Sequence, residues 1–137
     1  MAFEATLVYE LEPPVPFTCA DNTGIEKGAF LVLSDPATVA TTTGDTDRII
    51  GIAAEEKIAN DGKTKIGVYL RGIFKAFIGA GGCTAGDALI SDTATGAANE
   101  LATADVNSEC IVGRSLETAA DTESALILLD PYQANLA

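Results

Sequence analysis

Two glutamates stand where a repeated pattern ends. Glu55 closes "RIIGIAAEE" (48–56), and Glu117 closes "CIVGRSLE" (110–117). Carboxylates brought together across a pseudo-two-fold axis are the machinery of glycoside hydrolysis, one as acid and one as base or nucleophile. The plainer reading is two strand-end carboxylates that answer Arg48, Arg71 or Arg114. Glu55 and Glu56 are adjacent, so in a strand they point to opposite faces and cannot form a close pair. Asp45 and Asp47 in "GDTDR" are a fragment of a calcium-loop pattern whose other ligands are missing. "GAGGC" (79–83) is glycine-rich, but no lysine or helix start follows to make a phosphate cradle. The chain has no histidine, which removes the commonest general base and metal ligand. Cys19, Cys83 and Cys110 are widely spaced and odd in number, so they read as small buried residues and not as a disulfide framework. No residue is assigned a catalytic, metal-binding or cofactor-binding role, and the chain is read as a non-enzyme.

The elements that carry these residues read as β. Short apolar runs alternate with Gly, Asp, Asn and Thr clusters. Strands are expected at 29–34, 48–56, 64–78, 87–91, 110–117 and 124–130, with 64–78 the longest. Asp61-Gly62 is a turn dipeptide, which makes 49–58 and 64–72 a hairpin. Residues 98–109 are expected to hold a short helical turn. "KGAFLVLS" (27–34) matches "AGDALISD" (85–92), aligning Gly28 with Gly86 and Leu31 with Leu89. The Ile/Val–Gly strands then align Gly51 with Gly113, positions expected to mark bulges or tight bends. The order of landmarks is the same in both halves. The fold class is therefore all-β, a small antiparallel barrel or sandwich built from two similar units.

Residues 1–17 read differently. Pro13, Pro14 and Pro16 exclude a central strand, while Phe3, Leu7, Val8, Tyr9, Leu11 and Phe17 are many apolar side chains for a frayed tail. The segment is read as an edge strand or an extended arm, with a barrel domain over 18–137. "VYLRGIFKAFI" and "SALILLDPY" are apolar on both faces, which suggests burial against another chain, a second layer or the arm.

A net charge of −12 opposes nucleic acid and anionic membranes, because no phosphate counterions would be released on binding. It favours a protein partner. No signal peptide and no stretch of membrane-spanning length is visible, so the chain is expected to be made in a cytoplasm.

The ordered motifs I-x-K-G-A-x-L-x-L (Ile25–Leu33), R-I-I-G-I-A (48–53), D-G-x-T-x-I-x-V-x-x-x-G-I-F (Asp61–Phe74), G-D-x-L-x-S (Gly86–Ser91) and I-V-G-R-S-L-E (111–117) resemble the capsid decoration, or cement, proteins of tailed bacteriophage heads. The resemblance spans residues 18–131. It implies a small β-barrel on the outer surface of the virion capsid, made in the host cytoplasm. It also implies homotrimers at three-fold and quasi-three-fold positions, bound after shell expansion and opposing the pressure of packaged DNA. The implied partners are the major capsid protein and the chain itself, with no cofactor, nucleic acid or membrane. Phe3, Leu7, Tyr9, Leu11, Pro13, Pro14 and Phe17 are then the expected capsid-binding residues, with trimer contacts on the barrel. On this reading deletion of 1–17 leaves the barrel folded. A carbohydrate-binding or accessory β-module, and another virion part such as a head-completion or tail protein, are the competing readings.

Overall fold

The computed structural model describes residues 4–42, 49–79, 81–92, 100–103 and 110–133. Phe3, Asp45, Asp47 and Arg48 lie outside them. Among the described residues there is no helix. Eleven strands form two sheets: β1 (Thr6–Glu10), β2 (Val15–Cys19), β3 (Phe30–Ser34), β4 (Thr38–Thr41), β5 (Ile49–Ala53), β6 (Lys65–Tyr69), β7 (Gly72–Phe77), β8 (Ala88–Asp92), β9 (Glu100–Thr103), β10 (Cys110–Ser115) and β11 (Ser124–Gln133).

One sheet closes as a five-stranded barrel in the order β2-β4-β3-β5-β6. The other is six-stranded, in the order β1-β7-β11-β10-β8-β9. The duplication read from sequence is present strand for strand. In the first unit β3 pairs with β4 and β5, and β5 with β6. In the second β8 pairs with β9 and β10, and β10 with β11. The added strand also corresponds. β2 is antiparallel to β6 and meets β4 in parallel; β7 is antiparallel to β11, and Ile78 just beyond it bridges Leu101 of β9 in parallel. The second unit thus repeats the pairing of the first barrel, curled so that the single Ile78–Leu101 bridge joins its ends and with β1 attached along β7; it is called the second barrel below. The bridge Ile25–Lys57 recurs as Cys83–Ala119. Gly28 and Gly86 hold the same left-handed turn, at φ 91° and 95°, before β3 and β8.

Each barrel has its own core. Leu31, Val39, Ala53, Ile66 and Val68 fill the first. Phe74, Leu89, Leu101, Ala125 and Ile127 belong to the second. Phe30, Ile49 and Ile52 of the first barrel pack into that second cluster and join the two units.

Three expectations change. The long strand at 64–78 is two strands: the chain leaves the first barrel after Tyr69 and enters the second sheet at Gly72, so Leu70-Arg71 is the crossing. Gly72, the first residue of β7, has little room for a side chain: a Cβ there would stand 2.9 Å from the Phe74 ring. Of the segment 98–109 expected to turn helically, the described residues 100–103 form β9, whose Leu101 is fully buried; the rest lies outside the described residues, and four residues, ELAT, are too short for a periodic signal. The hairpin partners β5 and β6 do pair, through Ile52–Tyr69 and Ala53–Val68, but a longer loop joins them. Within it Gly62 takes φ 84° and Asp61 Oδ1 accepts the Lys63 N–H.

The N-terminal segment is part of both sheets. β1 is an edge strand on β7, and β2 closes the barrel. Pro16 fits because β4 reaches β2 only at Thr18 and Cys19, leaving that side of Pro16 without a ladder partner. Ala5 is buried, and its N–H donates to the Gly28 carbonyl. Removing 1–17 would therefore take out an edge strand and three of the five residues of a barrel strand, so the expectation that such a deletion leaves the barrel intact does not fit this fold.

Candidate functional site

Each of the two glutamates is engaged by partners of its own. Glu55 accepts the Gly67 N–H at 3.0 Å and pairs with Lys63. Glu117 accepts the Leu126 N–H at 2.9 Å and pairs with Lys75 at 3.1 Å. In each barrel the same glutamate caps the same final strand. The Lys63 hydrogen bond, followed by the Gly67 amide, holds Glu55 below the ordinary glutamate range. The Leu126 amide, followed by Lys75, does so for Glu117. A glycosidase acid needs the opposite shift. The partners are lysines and not the arginines expected from sequence; Arg71 instead meets Asp130 at 3.4 Å.

Both glutamates, and Asp61, whose carboxylate is held low chiefly by the Lys63 N–H, have folded values below their unfolded ones. Their contribution is full above the unfolded values and is lost as pH falls through the folded ones. Urea midpoints are therefore expected to drop between about pH 5 and pH 3. The double variant Glu55→Gln/Glu117→Gln is expected to show a smaller drop, checked by urea titration at both pH values.

Cys19 and Cys83 are buried and unbridged. Burial pushes the Cys19 thiol up, which makes it a poor nucleophile. The Cys83 Sγ lies 3.6 Å from the Ser115 hydroxyl, inside the second barrel. In the Gly79–Cys83 loop the Gly82 N–H turns back to the Gly79 carbonyl, and a strand, not a helix, follows. Among the described residues no cluster could hold a metal ion, and no helix is long and apolar enough to cross a membrane.

What remains is a surface. Among the described residues seven large apolar side chains are exposed, and four of them lie between residues 8 and 15: Val8 at 42 %, Tyr9 at 63 %, Leu11 at 46 % and Val15 at 40 %. The local cause is a β-bulge. Leu7 pairs with Phe74 and Tyr9 with Ile73, so Val8 is the extra residue. A bulge on an edge strand re-aims its side chains. Here it leaves Leu7 packed against the core while Val8 and Tyr9 both face solvent. Pro13 and Pro14 are exposed in the stiff connection that follows, and Phe17 packs partly on the barrel core. Of the capsid-binding residues expected from sequence, Tyr9, Leu11, Pro13 and Pro14 thus share an exposed stretch, Leu7 and Phe17 support it from beneath, and Phe3 lies outside the described residues. Val8 and Val15 were not singled out, and the bulge that exposes Val8 has no local sequence signal.

Beside this stretch the outer face of the six-stranded sheet carries half-exposed Ile73 and Phe77 on β7 and Leu126 and Leu128 on β11, set around the exposed Lys75 that pairs with Glu117. β1 extends the sheet alongside β7 and does not cover that face.

No curated protein matches the chain. The family described as phage cement protein matches residues 11–129, a span that begins at the exposed Leu11 and runs through both barrels. With all but the two ends of the chain inside that match, the protein belongs to the phage cement protein family.

Proposed function

We propose that the protein binds the outer surface of the expanded phage head as trimers at three-fold and quasi-three-fold positions, clamping capsid subunits against the pressure of packaged DNA. Family membership carries the coarser part, a structural role on the phage capsid. The observation that supports the finer reading is the concentration of exposed apolar side chains on Val8–Pro14 in a chain of net charge −12. An acidic surface keeps the free protein soluble, and a proline-stiffened apolar segment loses little entropy when it docks. The unpaired edge of β1 offers main-chain groups for strand addition by a capsid subunit. Three such contacts in one trimer act together, so modest affinity per protomer becomes firm attachment. A sugar-binding module would need several exposed aromatic platforms; among the described residues Tyr9 is the one large exposed aromatic.

The test is co-sedimentation with expanded, undecorated heads. Tyr9→Glu and Leu11→Glu are each expected to weaken binding by about tenfold or more, as removal of a central apolar anchor does. Their far-UV spectra and urea midpoints should stay native, because both side chains are in solvent. Two folded variants that bind as tightly as the parent would remove this segment from the interface.

A further inference from the structure

Because the two barrels are copies, each surface on one has an equivalent on the other, and the two can be compared for what covers them. In the first barrel Phe30, Ile52 and Tyr69 form one row across β3, β5 and β6. The row faces away from its own core, which is lined by the neighbouring Leu31, Ala53 and Val68. Phe30 and Ile52 are nevertheless 1 % and 0 % exposed. The second barrel covers them: they join the cluster of Phe74, Ile127 and Leu129, and Tyr69 meets Phe74 edge-on at 5.6 Å.

The equivalent row in the second barrel is Ala88, Arg114 and Leu128 across β8, β10 and β11. This row is open. Arg114 is exposed, Ala88 and Leu128 are half-buried, and with Gly113 and Asp130 they line a concavity of about 130 Å³.

The surface that receives the first row has its equivalent too. Phe74 pairs with Ile127, which pairs with Ser115. Val15 pairs with Val68, which pairs with Ala53. Val15 therefore stands in the first barrel where Phe74 stands in the second, and Leu70 follows Tyr69 as Leu129 follows Leu128. Val15 is 40 % exposed and Leu70 half-buried. The contact between barrels thus joins two unlike surfaces. Within the chain one of each is used, and one of each is left open, on different barrels. A heterologous contact left open in this way repeats from copy to copy, and it closes into a ring when the rotation allows. The charges agree: Arg114 replaces Ile52 on the open row, while Glu10 and Glu12 precede Val15, and opposite charges favour this register.

We infer that the Ala88–Arg114–Leu128 row of one copy docks on the Val15–Leu70 surface of a second copy, repeating between chains the contact made within one. This rests on the self-association in the proposed function and adds its surfaces; a trimer built this way is a ring of alternating first and second barrels. Light scattering of the full chain tests it. The parent is expected at three times the 14.0 kDa chain mass. Arg114→Glu and Val15→Asp, on opposite surfaces, are each expected to run as folded monomers, and Arg114→Glu combined with Glu12→Arg to regain assembly. A parent oligomer unmoved by either single variant would overturn the surfaces. A parent that stays monomeric across its soluble range would overturn the contact itself. A monomeric parent would also remove the preformed trimer from the proposed function, whereas attachment to the head is read separately by the sedimentation experiment.

Discussion

Gly113→Ala is expected to destabilise the protein by about 3 kcal/mol and to lower its thermal midpoint by roughly 10 °C. The reason is local and steric. A Cβ built on Gly113 overlaps the Leu128 carbonyl oxygen, with the Leu128 carbonyl carbon at 3.0 Å and the Asp130 nitrogen at 3.2 Å. These are backbone atoms of the β10–β11 ladder, so they cannot swing aside as a side chain would. The ladder shifts register between Ile111 and Gly113, with the extra residue on β11, and the glycine lets the two backbones stay close there. Gly51 is the same position in the first barrel. Its Cβ would overlap the Tyr69 carbonyl oxygen and stand 2.7 Å from Val68 Cγ1, next to the register shift between Leu31 and Val32. Gly51→Ala is expected to cost a similar amount. Gly62 is the control. It has φ 84° but open space around it, so Gly62→Ala carries only the left-handed backbone penalty of about 1 kcal/mol. Calorimetry on the three variants separates the cases. A Gly113→Ala protein that melts with Gly62→Ala would show that close approach is not what the glycine provides.

Lys57→Met is expected to cost about 2 kcal/mol, the scale of losing hydrogen bonds made by a charged group. The Lys57 side chain is 0 % exposed. Its ammonium donates to the Asp21 carbonyl at 2.7 Å, the Ile58 carbonyl at 3.2 Å and Asp61 Oδ1 at 3.2 Å, and lies 3.6 Å from Asp21 Oδ1. The same carboxylates fasten the loop around it. Asp21 Oδ1 accepts the Gly62 N–H at 2.7 Å, and Asp61 accepts the Ile58 and Lys63 N–H groups. One cation therefore ties the 21–25 turn to the β5–β6 loop. Methionine keeps the apolar stem but removes the charged donor, so the Asp21 and Ile58 carbonyls keep only the Asn60 and Asp61 N–H groups, and Asp61 keeps only its two backbone donors. The second barrel has Ala119 at this position, so it holds its corresponding loop without such a strut. Ala119→Gly, which removes only one buried methyl, is expected to cost about 1 kcal/mol. Urea unfolding measures both. Equal, small losses would show that the buried ammonium is not the tie described.

Much of the fold was legible because duplication doubles every weak signal. A lone Ile-Gly or Val-Gly says little, but Gly51 and Gly113 followed by Glu55 and Glu117 in the same order pointed to two like units, and the ladders pair in that way. What stayed hidden has physical causes. β4, TVAT, and β9, ELAT, are four residues long and nearly featureless; their places come from the tertiary ladder. The break at Leu70-Arg71 was masked because both flanking strands alternate in the same phase. Lys57 reads as a surface lysine, and only comparison with Ala119 in the other unit marks it as unusual. At the candidate site Tyr9, Leu11, Pro13 and Pro14 stood out by composition. The bulge at Val8 and the exposure of Val15 depend on register against β7 and β6, which the local sequence does not encode.

The most direct measurement is co-sedimentation of the full chain with expanded, undecorated heads of its source virus. The account predicts saturable binding at three copies per three-fold and quasi-three-fold position, and a higher temperature of head disruption once the sites are filled. Folded protein that fails to sediment with competent heads would contradict it.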